Sequence, residues 1–211
     1  MAEGEELSFK PVDHIIEHNE WICPIKPTYG DNAYYSISKK EIVIPTKEQF
    51  KDGESFYGNL FHEMAHSTGA EDQLNRLKPT SFGSKEYSAE ELKAEMTAAL
   101  VSQRYGMTKR LKEDSAAYLK GWLDSLKEEL TFIKTILTDV KKASQMITQK
   151  VDAIQLQLNN GTQESQGEGN SETVPGQKNH DEAKANAKEP EALAAKKPPK
   201  EEENTGYRFH R

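Results

Sequence analysis

The stretch His62-Glu63-Met64-Ala65-His66 constrains this chain more than any other. Two imidazoles four residues apart reach one ion only if the backbone between them is α-helical, because positions i and i+4 then lie one above the other. Glu63 points about 100° round from His62 and can hold a water beside a metal without ligating it. The flanking residues agree with a helix: Tyr57, Leu60, Phe61, Met64, Ala65 and Thr68 recur at three- and four-residue steps, and Gly69 supplies a stop. An accidental H-E-x-x-H on an ordinary helix is the alternative. With six His in 211 residues it is the poorer one.

Zinc in such a site needs a third protein ligand, and a catalytic site leaves its fourth position to water. The next helical segment, from Tyr87 to Met96, supplies acids. Ser88 followed by Glu91 has the spacing of a capping box, which would open the helix there. Glu91, Glu95 and Ala98 share one face, and two carboxylates beside a small residue suit a metal better than an apolar core. Glu91 is the expected ligand. Glu95, one turn later, would hydrogen-bond a ligating His and hold its tautomer, and it competes with Glu91 for the ligand role. The plainer alternative makes Glu90, Glu91 and Glu95 solvated acids that favour the helix dipole.

A longer series of motifs surrounds this pair: Ala33-Tyr34-Tyr35, Ile42-Val43-Ile44-Pro45, Gln49-Phe50, and Leu60 through Gly69. Downstream stand Leu74-Asn75-Arg76, Phe82-Gly83, Tyr87, Glu90-Glu91-Leu92, Ala94-Glu95, Ala116-Ala117-Tyr118 and Trp122-Leu123. From about Ala33 to Leu158 the chain resembles the C-terminal zincin-like metallopeptidase domain of the plasmid antirestriction protein ArdC and its relatives on mobile elements. The Glu91-x-x-Ala94-Glu95 spacing is also similar to the second-helix signature of gluzincins, in which the first Glu binds zinc and an acid four residues on supports a His. The resemblance implies an α+β zincin-like fold, a Zn2+ cofactor and peptide hydrolysis. Two positions depart from the family pattern. Ala70 stands where relatives commonly carry a further His, and Gln73 where they often have Arg before Leu. Both lie near the site and bear on substrate preference. Full-length members also carry an N-terminal region associated with single-stranded DNA binding, whereas about thirty residues precede the first matching strand here. DNA binding and antirestriction activity are therefore not carried over with the fold.

Composition divides the chain near Leu158. Apolar residues recur with helical or strand spacing before it and nearly vanish after it, where Gln, Gly, Asn, Ala, Lys, Glu and Pro dominate. Residues 1–158 are expected to form one domain and residues 159–211 a disordered polar tail, which cannot bury enough apolar surface to offset its chain entropy. The tail's last residues, Tyr207 to Arg211, read as a frayed terminus rather than a docking peptide. A net charge of −7 argues against a nucleic-acid surface as the main function. Lys109, Arg110 and Lys112 form only a small basic cluster. The single Cys23 excludes an internal disulfide, fits a reducing compartment, and reads as a small buried hydrophobe. The acidic N-terminus lacks an apolar signal region, and no apolar run approaches a membrane span. A cytoplasmic location follows as the expectation.

Spacing predicts a short helix over Val12 to His18, with Ile15 and Ile16 inward. Strands are expected at Trp21–Lys26, Ala33–Ser38 and Lys40–Pro45, with a turn at Tyr29 to Asn32 between the first two. The metal-site helix should run from Ser55 to Thr68, and the Glu91 helix should end near Gly106. A long helical pattern follows from Ser115 towards Leu158 on Tyr118, Trp122, Leu126, Ile133 and Leu137, with a break possible at Lys127-Glu128-Glu129. The strand Glu41–Ile44 is the candidate edge on which an extended peptide could pair.

In the mechanism that these parts imply, zinc on His62, His66 and Glu91 acidifies a water and polarises a carbonyl. Glu63 is the general base. Tyr87 is the best-placed hydroxyl for the oxyanion, with a packing role as its alternative. The partner is then a peptide or protein substrate. A second hypothesis is a non-catalytic antirestriction interaction protein that binds a defence component through the zincin scaffold. A third, a single-stranded DNA module, has the net charge against it. His14, His18, His180 and His210 lack paired spacing with the site and are taken as structural or solvated.

Overall fold

The computed structural model describes residues 8–81, 84–107 and 130–164, and within them four helices pack around one three-stranded sheet in a mixed α+β arrangement. Helix α1 spans Lys10–Glu17 and opens with Pro11, whose fixed φ suits a first helical turn. It buries Val12 and Ile15 fully, and Ile16 packs partly against the same core. Residues 21–24 alternate in burial like a strand, with Trp21 and Cys23 in and Ile22 and Pro24 out. Ladder pairing starts only at Pro24, whose carbonyl accepts from Ile42 N–H at 2.8 Å. The first strand, β1, is therefore Ile25–Thr28 and not the expected Trp21–Lys26.

Strands β2 (Tyr34–Ser36) and β3 (Glu41–Pro45) form an antiparallel hairpin in which Tyr35 faces Ile42. Lys40 closes it at φ 47°, in the left-handed region. β1 joins the other side of β3 in parallel, with Ile25 opposite Ile42, so the strand order is β1-β3-β2. This corrects the expectation for Glu41–Ile44. Both flanks of β3 are already paired, so it is the central strand and offers no free edge. Pro27, which cannot donate to a ladder, accordingly sits on the edge strand β1. The segment after β1 carries the chain past β3, and Gln49 ties it down by exchanging amide bonds with Gly30 at 3.0 and 3.2 Å.

Helix α2 spans Gly53–Ser67 and is capped by Asp52, whose Oδ1 accepts the Ser55 N–H at 2.7 Å. Helix α3 spans Lys85–Arg104. Its cap is Ser84, which accepts the Tyr87 N–H at 3.1 Å, and Ser88 lies inside the first turns. Both serines have cap chemistry one turn apart, and the helix starts at the earlier one. It ends at Tyr105 and Gly106, the latter at φ 73°, as the sequence suggests. Helix α4, Leu130–Glu164, continues through the Leu158 boundary. Its buried line is Ile136, Val140, Ala143, Ile147, Val151 and Ile154, while Leu137, expected inward, is 50% exposed. Spacings of three and four place a single stripe on one face, and Leu137 lies just outside it.

α3 is sandwiched between α2 and α4, and α1 also packs on α4. The main core joins the sheet to α1, α2, α3 and α4, and a smaller cluster of Ala89, Leu92, Ile136 and Val140 joins α3 to α4. No helix among the described residues is long and apolar enough to cross a membrane. Phe82-Gly83, the basic cluster at 109–112, the motifs at 116–118 and 122–123, Leu126, the break at 127–129, and the chain before residue 8 and after residue 164 lie outside the described residues.

Gly69 follows α2 without a positive φ, so it is no left-handed stop. A Cβ there would lie 2.8 Å from Leu77 Cγ and 3.0 Å from the Arg76 side chain, so the glycine permits a close approach of the returning chain. Gly69→Ala is expected to lower stability by about 1–3 kcal/mol through this crowding, measured by urea unfolding. An unchanged midpoint would mean that the returning chain yields freely. Burial pushes the Cys23 thiol up to about 12. The native chain should therefore resist thiol alkylation at pH 8 and react only when unfolded. Rapid labelling of the folded protein would contradict that burial.

Candidate metal centre

The C-terminal half of α2 is buried on every side: each residue from Leu60 to Ser67 is shielded from solvent. This suits the apolar members of the helix, but it also encloses His62, Glu63 and His66. α3 provides their surroundings. His62 Nδ1 meets Glu95 Oε2 at 3.1 Å, and His66 Nδ1 meets Glu90 Oε1 at 3.3 Å. The lower-numbered acid pairs with the higher-numbered His, so the two helices run antiparallel.

With both Nδ1 edges turned to carboxylates, the favoured tautomer leaves a lone pair on each Nε2. Those two Nε2 atoms face one another at 3.0 Å. Glu91 completes a triangle, its Oε2 3.6 Å from His62 Nε2 and its Oε1 3.4 Å from His66 Nε2. Bonds of about 2.0–2.1 Å to a tetrahedral zinc separate ligand atoms by about 3.3–3.4 Å, close to all three spacings. Among the described residues, His62, His66 and Glu91 are the group whose donor atoms could hold one metal ion. Its Glu91 side is the more open, with that side chain 21% exposed.

Charge leads to the same point. Glu63, Glu90, Glu91 and Glu95 are gathered here against one guanidinium among the described residues, that of Arg76. Uncompensated buried charge is costly, so a cation or protons must make up the difference. Without a metal, burial works to lower the His66 pKa, but hydrogen bonds to Glu90 and Glu91 outweigh it and raise it to about 9. A proton then occupies the place a metal would take. Burial likewise acts to raise Glu91 and Glu90, yet the former is held well below the usual carboxylate range by His62 and His66, and the latter is lowered by His66 and Arg76. Glu63 Oε2 is buried with no hydrogen-bond partner among the described residues, although the carboxylate is near enough for its charge to act on His66. An orphaned carboxylate oxygen, three convergent donors and an excess of negative charge together fit a divalent cation.

The sequence-predicted residues His62, Glu63, His66, Glu91 and Glu95 are thus brought together. Tyr87 is buried in the main core one turn ahead of Glu91 on α3. The solvated-acid alternative fails, because Glu90 and Glu95 are each only 5% exposed. Two members were not identified from sequence. Glu90 was one of three neighbouring acids with nothing local to say which way it turned, and Arg76 stood in a recognised motif without a role. Of the other histidines, His14 stacks on His18 at 3.9 Å and pairs with Glu20, away from this cluster. His180 and His210 lie outside the described residues.

Known proteins resemble this chain to different extents. A family model described as zincin-like metallopeptidase (MPTase-PolyVal) matches residues 12–137. The uncharacterized protein y4eC of Sinorhizobium fredii (strain NBRC 101917 / NGR234) is 31% identical over 117 residues, covering 56% of this chain and 37% of its own length. DNA primase TraC of Escherichia coli is 32% identical over 113 residues, which are 54% of this chain and only 8% of the primase. The chain therefore spans well under half the length of these curated relatives. The crystal structure of the antirestriction ArdC protein from the R388 plasmid in its Mn(II)-bound form superposes with a TM-score of 0.61 at 26% identity, covering 69% of this chain and 53% of that one. Its metal-free form gives 0.58 at 25% identity, with 70% and 52% covered. On the match over more than half its residues, together with the paired His and Glu of α2 and the acids of α3, the chain belongs to the zincin-like metallopeptidase family.

Proposed function

We propose that this chain is a zinc-dependent peptidase in which His62, His66 and Glu91 hold the metal and Glu63 is the general base. The observation that carries this reading is the buried Glu63 oxygen without a partner, next to a convergent His-His-Glu group. A metal kept only for structure has no use for such a carboxylate, whereas hydrolysis needs a proton acceptor at that point. This favours catalysis over the non-catalytic interaction protein. The free, buried Cys23 suits work in the reducing cytoplasm.

Zinc bound there would supply Lewis acidity and a water of lowered pKa. The chain's own residues do the rest. Glu95 accepts the His62 Nδ1 proton and thereby turns Nε2 towards the centre. Glu63 takes a proton from the attacking water and passes it to the leaving amine, a transfer aided by burial that excludes competing solvent. Glu91 is both the most accessible of the group and the link between the two imidazoles, so substrate would enter on its side. Tyr87 is the candidate donor to the oxyanion from the turn before Glu91. A peptide or protein is the substrate class.

Two measurements test this. Elemental analysis should find about one zinc per wild-type chain. Glu91→Ala should lose it, while Glu95→Ala keeps the ligand set and weakens affinity by about 10–100-fold. Retention of zinc in Glu91→Ala, with loss in Glu95→Ala, would exchange the two roles. Against a mixed peptide library, Glu63→Gln should lower kcat by about 10²–10⁴-fold with its zinc content unchanged. Wild-type turnover in that variant would remove Glu63 as the base. Tyr87→Phe should lower kcat with KM little changed, and an unaltered kcat would return Tyr87 to a packing role.

A further inference from the structure

We propose that Arg76 is a positioning residue for the second histidine of the metal centre, acting through Glu90. This rests on the reading of His62, His66 and Glu91 as ligands. Arg76 grips Glu90 with two donors, Nε to Oε2 at 3.0 Å and Nη2 to Oε1 at 2.9 Å. Glu90 Oε1 is also the atom facing His66 Nδ1 at 3.3 Å. The guanidinium thus immobilises both oxygens of the carboxylate that sets the tautomer and ring plane of His66. A carboxylate free to rotate would hold the imidazole less well, and backing groups of this kind tune metal affinity.

The chain goes to some length to deliver this side chain. After α2 it doubles back, with the N–H groups of Leu74, Asn75, Arg76 and Leu77 donating to the carbonyls of Thr68, Ala70, Gly69 and Gly69 at 2.9–3.1 Å. Asn75 adopts φ 47°, and Gly69 gives way to the returning Arg76 and Leu77. Arg76 then donates to Ala65 O at 2.5 Å and to Thr68 Oγ1 at 2.8 Å as well. Those two contacts alone would staple the returning loop to the end of α2. The fork on Glu90 adds nothing to such a staple, because Glu90 belongs to α3 and, among the described residues, the other hydrogen bond of its side chain runs to His66. The geometry therefore joins loop, α3 and imidazole through one planar group. Lysine could not replace it, since a single ammonium cannot span both carboxylate oxygens while also reaching Ala65 and Thr68.

The test uses the full chain loaded with Co2+, read by chelator competition and by its visible absorption, which reports ligand geometry. Arg76→Met should weaken cobalt binding by about 10–100-fold and shift the absorption bands, and Arg76→Lys should restore little. Leu77→Ala loosens the loop without touching the guanidinium. It should lower the melting temperature and leave affinity and spectrum as in wild type. Wild-type affinity and bands in Arg76→Met overturn the inference. So does an equal loss in Leu77→Ala, which would assign the effect to loop packing. If Arg76→Met does not fold, wild-type binding by Arg76→Lys overturns it equally. A wild-type chain that takes up no cobalt removes the ligand reading itself, an outcome distinct from the others.

Discussion

Charge held between α2 and α3 is the constraint to which the rest of the structure answers. Four carboxylates and two imidazoles lie in a space where the cost of desolvating each ion is several kcal/mol unless it is paired. One guanidinium offsets part of this. The imidazoles offset the remainder only by keeping protons or by sharing a cation. Carboxylates that burial alone would neutralise stay ionised because of those partners. The cluster is therefore an electrostatic balance that needs positive charge, as protons or as a cation, to close.

That balance requires α2 to stay where it is, and three groups fix it. Near its start, the Tyr57 hydroxyl donates to Asp13 Oδ1 at 2.7 Å while accepting from Phe9 N–H at 2.8 Å and Lys47 Nζ at 2.7 Å. Near its end, Trp21 Nε1 donates to Ser67 Oγ at 2.9 Å, one residue beyond His66. Along its length it packs against β2 and β3, whose inward side chains Tyr35, Ile42 and Ile44 are fully buried. The central place of β3 follows from this. A strand bearing Ile42 and Ile44 under the metal helix is better paired on both sides than left at an edge, where its unpaired groups would need other cover.

Features governed by local spacing were legible in the sequence. His62 and His66 share a face because four residues make one helical turn, and the reach of Glu95 towards a His followed from its one-turn offset from Glu91. The strands that became β2 and β3 and the end of α3 near Gly106 were readable for the same reason. Features governed by contacts between distant segments were not. Residues 21–23 alternate like a strand but have no ladder partner among the described residues, and Ser84 and Ser88 are equally good caps until Tyr87 is packed. Leu137 and Ile136 are adjacent apolar residues, and only the surface of α3 decides which turns inward. The turn after β1 gave no sign that β3 would come between the first two strands.

The adjacency of Glu90 and Glu91 has a consequence for how the site behaves as a unit. Consecutive helical residues point about 100° apart, so one turn of α3 can send Glu91 to the centre and Glu90 behind His66. Glu95, about 7.5 Å further along the axis, stands behind His62. A single helix thus supplies the carboxylate between both imidazoles and the group behind each of them. Any rotation or slide of α3 that withdrew Glu91 would break both Nδ1 contacts at the same time. Because α3 is clasped by α4 through Ala89, Leu92, Ile136 and Val140, such a motion would also tear an apolar seam. The cluster is thus held as a unit, and the long fourth helix, remote in sequence from His62, His66 and Glu91, helps keep it in register.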